Sequence, residues 1–246
     1  MTRSEARASR SLGGAGRLLL AALALGLAAH AGNDAIRLFE SDAPSRSIGR
    51  TNDGRVVNGK RLPSSGPGFA TYSRLGSALG RTAVHHRVRD AMLGAYAALH
   101  AERPETTYLY GETGWPRGGR LRPHRTHQNG LSVDFMVPVL RGGAPDVLPT
   151  GPFNTFGYGI DFDDAGLNGD LAIDFAALAA HLHHLDRAAE ANGLAVEVVI
   201  LAPGLQDELR ATEQGAALAR RLRFSQNPSW VRHDDHYHVD FRLVEP

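Results

Sequence analysis

His236-Tyr237-His238-Val239-Asp240-Phe241-Arg242-Leu243 alternates polar and apolar side chains without a break. A period of two argues a half-buried strand, with Tyr237, Val239, Phe241 and Leu243 on one face and His236, His238, Asp240 and Arg242 on the other. Residues two apart on a strand stand about 6–7 Å from each other. One of the two histidines can therefore ligate a metal ion while its neighbour overhangs the same ion. His233, three residues before His236, adds a third imidazole to the segment.

About a hundred residues earlier stands His124-Arg125-Thr126-His127-Gln128-Asn129-Gly130-Leu131-Ser132-Val133-Asp134. Leu131, Val133, Phe135, Val137 and Val139 alternate with Ser132, Asp134 and Met136, again the pattern of a strand, and Asn129-Gly130 before it is a turn signal. If that turn reverses the chain, His127 and Asp134 share a face. An imidazole, a carboxylate and a second imidazole suit a catalytic zinc ion, which keeps three protein ligands and leaves a fourth position for water. For either segment alone, a structural hydrogen-bonded pair without metal explains the residues as well. The two segments together favour the metal.

The longer patterns, Gly118-Gly119-Arg120 with His124-x-x-His127-x-x-Gly130-Leu131-x-Val133-Asp134 and then His233-x-x-His236-x-His238, resemble those of the penicillin-insensitive murein endopeptidases. These belong to the fold group of lysostaphin-type peptidases, D-Ala-D-Ala carboxypeptidases and the zinc-binding domain of hedgehog signalling proteins. The resemblance runs from about Ser47 to Leu243. It implies that His127, Asp134 and His238 bind one Zn²⁺ per chain, that His236 acts on the water or the oxyanion, and that His124 and His233 support the site. The chain departs from the family in two places, neither a proposed ligand. Ser132 stands where an aspartate is frequent, and the cysteines of enteric members are absent.

The 246 residues suffice for one substantial domain, with 42% hydrophobic and 22% charged residues as in an ordinary globule. Four arginines and one acid fall in the first 31 residues, so the remaining 23 basic and 25 acidic residues leave a formal charge of −2. That balance gives no support to nucleic-acid binding. With no cysteine in the chain, disulfides, thiol nucleophiles and thiolate zinc sites are excluded. Arg3, Arg7, Arg10 and Arg17 precede an apolar run from Leu18 that is short for a bilayer span but suits a signal-peptide core, with a cleavage site near Ala31. The expectation is a periplasmic protein comprising a signal peptide (1–31), a flexible lead-in (32–46) and a metallopeptidase domain (47–246), with no stable membrane span after cleavage. The alternative is an uncleaved N-terminal anchor.

Along the chain, residues 47–69 read as loops or short hairpins and Ala83 to Glu102 as a helix, with His85 and His86 on a solvated face. Thr106 to Gly111 reads as a strand. A Gly/Pro/Arg loop then carries Trp115 and Arg117 towards His124, and its arginines are either partners for substrate carboxylates or plain solvated charge. Leu140 to Gly169 reads as a long loop, a candidate wall of a cleft. Asp170 is expected to cap a helix running from Leu171 to Ala191, with His181 and His184 at its surface. Ala195 to Leu201 reads as a strand and Leu205 to Leu222 as one helix. Trp230 lines the cleft or fills the core. The sum is an α+β fold, one domain with a central, mainly antiparallel sheet flanked by helices and long loops.

The chemistry expected of such a site is hydrolysis by a metal-activated water, with His236 as proton acceptor or oxyanion partner. Asp235, three residues before His238, is expected to point to the opposite strand face. A serine mechanism needs Ser-x-x-Lys, and the sole lysine, Lys60, has Val57 at that offset. Without an acyl-enzyme, β-lactams have nothing to trap. The expected substrate is the peptide cross-link of peptidoglycan. The alternatives are a D,D- or L,D-carboxypeptidase acting on murein stem peptides and a non-catalytic zinc-binding cell-wall module, and a homodimer is left open.

Overall fold

The computed structural model describes residues 14–226 and 231–244. Helix α1 (Gly14–Arg37) precedes a hairpin of β1 (Arg46–Arg50) and β2 (Asp53–Val57). Three short strands, β3 (Lys60–Arg61), β4 (Ser65–Gly66) and β5 (Phe69–Thr71), lead to helix α2 (Arg74–Ala78). Next come β6 (Ala83–Val84), α3 (His86–Glu102), β7 (Tyr108–Tyr110) and β8 (Ser132–Met136). After β9 (Val139–Arg141) and β10 (Ala144–Asp146) the chain makes a 3-10 segment at Pro152–Gly157, then β11 (Leu167–Asn168) and β12 (Leu171–Ile173). Helix α4 (Phe175–Ala191), β13 (Leu194–Ile200), α5 (Pro203–Ala211), α6 (Gly215–Arg221) and β14 (His236–Leu243) complete it.

The fold is α+β. Its principal sheet runs β13-β14-β8-β7-β5-β4, antiparallel throughout except where β5 meets β7. A smaller antiparallel sheet, β10-β9-β12-β11, lies within what the sequence presents as one long loop. On one face of the principal sheet Val133, Phe135, Tyr237, Val239 and Phe241 are buried with Tyr96 of α3 and Leu178 and Leu182 of α4. Removing side chains the size of Val239 and Phe241 from water contributes about 1.5–3 kcal/mol each. This anchors β8 and β14 and so fixes what their other faces present. Ser132, Asp134 and Met136 pair across the strands with Asp240, His238 and His236. The polar face is not half exposed as the alternation implies, since Asp134, His236 and His238 are all buried.

Several expectations are corrected. His85 does not face solvent on a helix: it is buried and caps α3, its ring accepting the Arg87 N–H. Leu171–Ile173 is a strand, so the cap of α4 is Asp174, whose carboxylate accepts the Ala177 N–H, while Asp170 pairs with Arg141. The single helix expected over Leu205–Leu222 is two, because Thr212 turns extended and Gly215 passes so close to the Leu209 carbonyl that a Cβ would lie 1.9 Å from it. The lead-in expected from Gly32 is helical to Arg37, and Asn33 is buried, donating to Leu62 O at 2.8 Å and accepting from Thr82 Oγ1. A cut after Ala31 leaves these contacts in place. The helix bends by 56° between Arg17–Ala28 and Ala31–Arg37, and no single helix among the described residues is long and apolar enough to cross a membrane.

His181, expected at the surface, is also buried, with Tyr237 Oη and its Nδ1 2.7 Å apart. His184, one step round the helix, meets Glu102 instead. Burial lowers the His181 pKa from 6.5 to about 3. In the unfolded chain the ring takes up a proton below about pH 6.5. Between those two values the unfolded state binds more protons, so stability falls as pH falls; above pH 6.5 the contribution vanishes. This one ring is expected to cost about 2 kcal/mol between pH 6.5 and 5. Urea unfolding at pH 7.5, 6.5 and 5.0 checks it: His181→Gln, which can still accept from Tyr237, should show a slope shallower by about one proton. An unchanged slope would refute the assignment.

Candidate metal centre

Asp134 lies in the body of β8, with His238 directly across from it on β14 and their side chains on the same face. His238 Nδ1 is 2.8 Å from Asp134 Oδ1, and its Nε2 is 2.9 Å from Asp240, which also accepts from Ser132 Oγ. Burial works against a charged ring here, but the hydrogen bonds to the two carboxylates outweigh it and raise the His238 pKa to about 10.

The segment between β7 and β8 brings His124 and His127, and the approach to β14 brings His233. His127 sits at φ 68° and His233 at φ 56°, left-handed conformations that side chains other than glycine rarely adopt and that surrounding contacts must hold. Gly130, at φ 77°, turns the chain into β8, and a Cβ there would lie 2.8 Å from His85 N. The reversal brings His127 Nε2 within 3.3 Å of Asp134 Oδ1 and His124 Nδ1 within 3.6 Å of Asp134 Oδ2. The donor atoms of His124, His127 and Asp134 all lie within 4.8 Å of one another.

The state of His127 is the test of fit. Its Nδ1 is 2.9 Å from the Thr113 carbonyl, which can only accept, so Nδ1 carries a proton and donates it. Nε2 then turns towards the Asp134 carboxylate, fully buried and without a hydrogen-bond partner. Two electron-rich atoms face each other inside the protein, and only a proton or a cation between them satisfies both. Burial lowers the His124 pKa to about 4, so that ring is a neutral lone-pair donor at pH 7. His124, His127 and Asp134 can hold a metal ion.

This group differs from the expected His127, Asp134 and His238 in one member. His124 stands nearer the role of a ligand than of a support, and both nitrogens of His238 are engaged by carboxylates. His236 faces the same cleft, its Nδ1 hydrogen-bonded to Asp235. Asp235 does not turn to the far face as strand alternation predicts, because it precedes β14 in a bend and its carboxylate reaches the ring. His233 packs on His236 with ring centroids 4.6 Å apart, and burial lowers its pKa to about 4.

Four residues here were not singled out from the sequence. Tyr158 donates to Asp134 Oδ2 at 3.1 Å and accepts from Glu112 N at 3.1 Å, and its ring stands edge-on to His236. A Cβ at Gly111 would come within 2.6 Å of that hydroxyl, so the contact needs glycine. Glu112 is buried, which pushes its carboxyl up although Tyr72 and Arg81 both donate to it. The only signal in the sequence was an acid between a strand and a glycine-rich loop.

A cleft of about 680 Å³ opens over the group, walled on one side by Thr155, Phe156 and Tyr158 from the stretch read as a long loop. Trp115 and Arg117 do not line it. Trp115 lies under the Arg81 guanidinium, 5.8 Å from ring centroid to Cζ, and Arg117 is exposed. Trp230 lies outside the described residues.

No protein-family model and no curated protein matches the sequence.

Removing the Tyr158 hydroxyl tests how Asp134 is oriented. Groups that hydrogen-bond to a metal ligand typically contribute about 10–100-fold to affinity. Tyr158→Phe is expected to weaken metal-ion binding by about 10-fold with the fold intact, read by competition with a chelating dye. Undiminished affinity would show that the hydroxyl does not orient the carboxylate.

Proposed function

We propose that the chain is a zinc-dependent endopeptidase that hydrolyses peptide cross-links of peptidoglycan outside the cytoplasmic membrane. The observation that carries this reading is the convergence of His-x-x-His-x6-Asp and His-x-x-His-x-His on one buried carboxylate at the floor of a peptide-sized cleft. A cation held by His124, His127 and Asp134 supplies Lewis acidity, polarising a carbonyl and lowering the pKa of a water molecule towards ~7.

This chain's own groups do the remainder. The Nδ1 of His236 donates to Asp235, so its Nε2 is left as the acceptor facing the cleft, the arrangement a general base needs. A proton taken there can pass on to the leaving amine. His238 and Tyr158 hold the Asp134 carboxylate from two sides. No cysteine occurs in the chain and its sole lysine has Val57 at the offset of Ser-x-x-Lys, so neither a thiol nucleophile nor that serine-lysine pair is available.

The test is incubation of zinc-loaded protein with cross-linked dimeric muropeptides, with and without chelator, beside a His127→Ala control. Monomers should appear only with metal and only with the wild-type protein. Release of terminal D-alanine without monomers would assign a carboxypeptidase, and tight zinc binding with intact muropeptides would assign a non-catalytic module.

A further inference from the structure

The segment that delivers His124 and His127 to the metal group also walls a second cavity of about 750 Å³. Its lining is polar and net positive: Arg120, Arg122 and Arg125 contribute three positive charges and Asp53 one negative, leaving two positive. Among the described residues Arg120 and Arg122 have no carboxylate partner, whereas Arg81, Arg103, Arg141 and Arg221 are all paired with acids. An exposed guanidinium is stable in water, but two of them drawn to one concavity repel each other. An anion placed between them relieves the repulsion.

The cavity adjoins the cleft, for Pro123, His124 and Arg125 line both. Leu75 and Leu79, which are 53% and 63% exposed, line the cleft but not this cavity.

We propose that the arginine-lined cavity is a subsite for a free carboxylate on the peptide substrate, borne close to the bond that lies over His124, His127 and Asp134. The proposal rests on the peptidase reading above. A planar guanidinium binds a carboxylate through two parallel hydrogen bonds, which gives direction as well as charge. The cavity thereby sets the register of the peptide, selecting chains that carry a carboxylate on one side of the cut.

The experiment uses zinc-loaded full-length protein and two cross-linked peptides that differ only in that carboxylate, one free and one amidated. The free acid should be cleaved with kcat/KM at least ~10-fold higher, the equivalent of one good charged contact. R120Q/R122Q should remove the preference, raising KM for the free acid to that of the amidated peptide. Equilibrium binding of both fluorescently labelled peptides to the His236→Ala protein should show the same preference, lost when R120Q/R122Q is added. Cleavage of both peptides at equal rates would overturn the subsite and leave the hydrolase standing. Preferential binding of the free acid without cleavage of either would uphold the subsite and overturn the hydrolase. Competition by inorganic phosphate at the same concentration as the peptide would show a general anion hole and overturn the commitment to a carboxylate.

Discussion

Asp134→Asn is expected to abolish tight metal binding, weakening zinc affinity by well over ~100-fold. The magnitude follows from position. Partners that merely orient a ligand are worth about 10–100-fold, and Asp134 is itself a donor atom in the group and its one negative charge. The substitution keeps the shape and removes the charge. The fold should survive, because Asp240 still neutralises His238 from its other nitrogen and the apolar faces of β8 and β14 are untouched. Thermal denaturation gives an independent readout. Zinc at 100 times its dissociation constant stabilises the native state by about 2.7 kcal/mol, and for a chain of this length that raises Tm by about 5–10 °C. Wild-type protein should show the rise and Asp134→Asn should not. A variant that still binds zinc within a few-fold of wild type would remove Asp134 from the centre and, with it, the reading of the cleft as a metal site.

Much of this site was legible because strand periodicity leaves little freedom. The alternation through His236–Leu243 sorts the residues by face, and Asn129-Gly130 ahead of Leu131 places the turn, so Asp134 and His238 were set on polar faces before their pairing was visible. Which histidines surround the carboxylate was less legible. His124 and His238 differ in which of their nitrogens are taken: Asp134 and Asp240 engage both nitrogens of His238, while His124 leans on Asp134 with one, and strand periodicity sorts faces without assigning individual nitrogens. Periodicity failed wherever local structure stops being regular. Asp235 sits in a bend, where facing rules lapse, and Leu171–Ile173 is short enough for a helical continuation and a strand to look alike. His85 and His181 failed for another reason. Burial of an imidazole is decided by neighbours far along the chain, here Ser45 beside His85 and His86, and Tyr237 beside His181. Tyr158 was out of reach altogether, since it arrives over Asp134 from an irregular 3-10 segment.

His236→Ala is expected to lower kcat by about 10²–10⁴-fold, the usual worth of a positioned general base, while leaving zinc bound. The two effects separate because His236 is not one of the three donors able to hold the ion, yet it lines the same cleft. Loss of both metal and activity would instead make it a ligand, and the proton would need another acceptor. Asp235→Asn sharpens the distinction. An asparagine at that position can still accept from His236 Nδ1 through its amide oxygen, but it lacks the charge that stabilises the ring once protonated. It should therefore cost less than His236→Ala, about 10–100-fold in kcat, with KM and zinc content as in wild type. The carboxylate acts through the imidazole, so in the His236→Ala background the further change Asp235→Asn should have almost no effect. If the two losses multiply instead, Asp235 serves the reaction on its own, and the expectation of a single orienting contact between neighbouring residues is wrong.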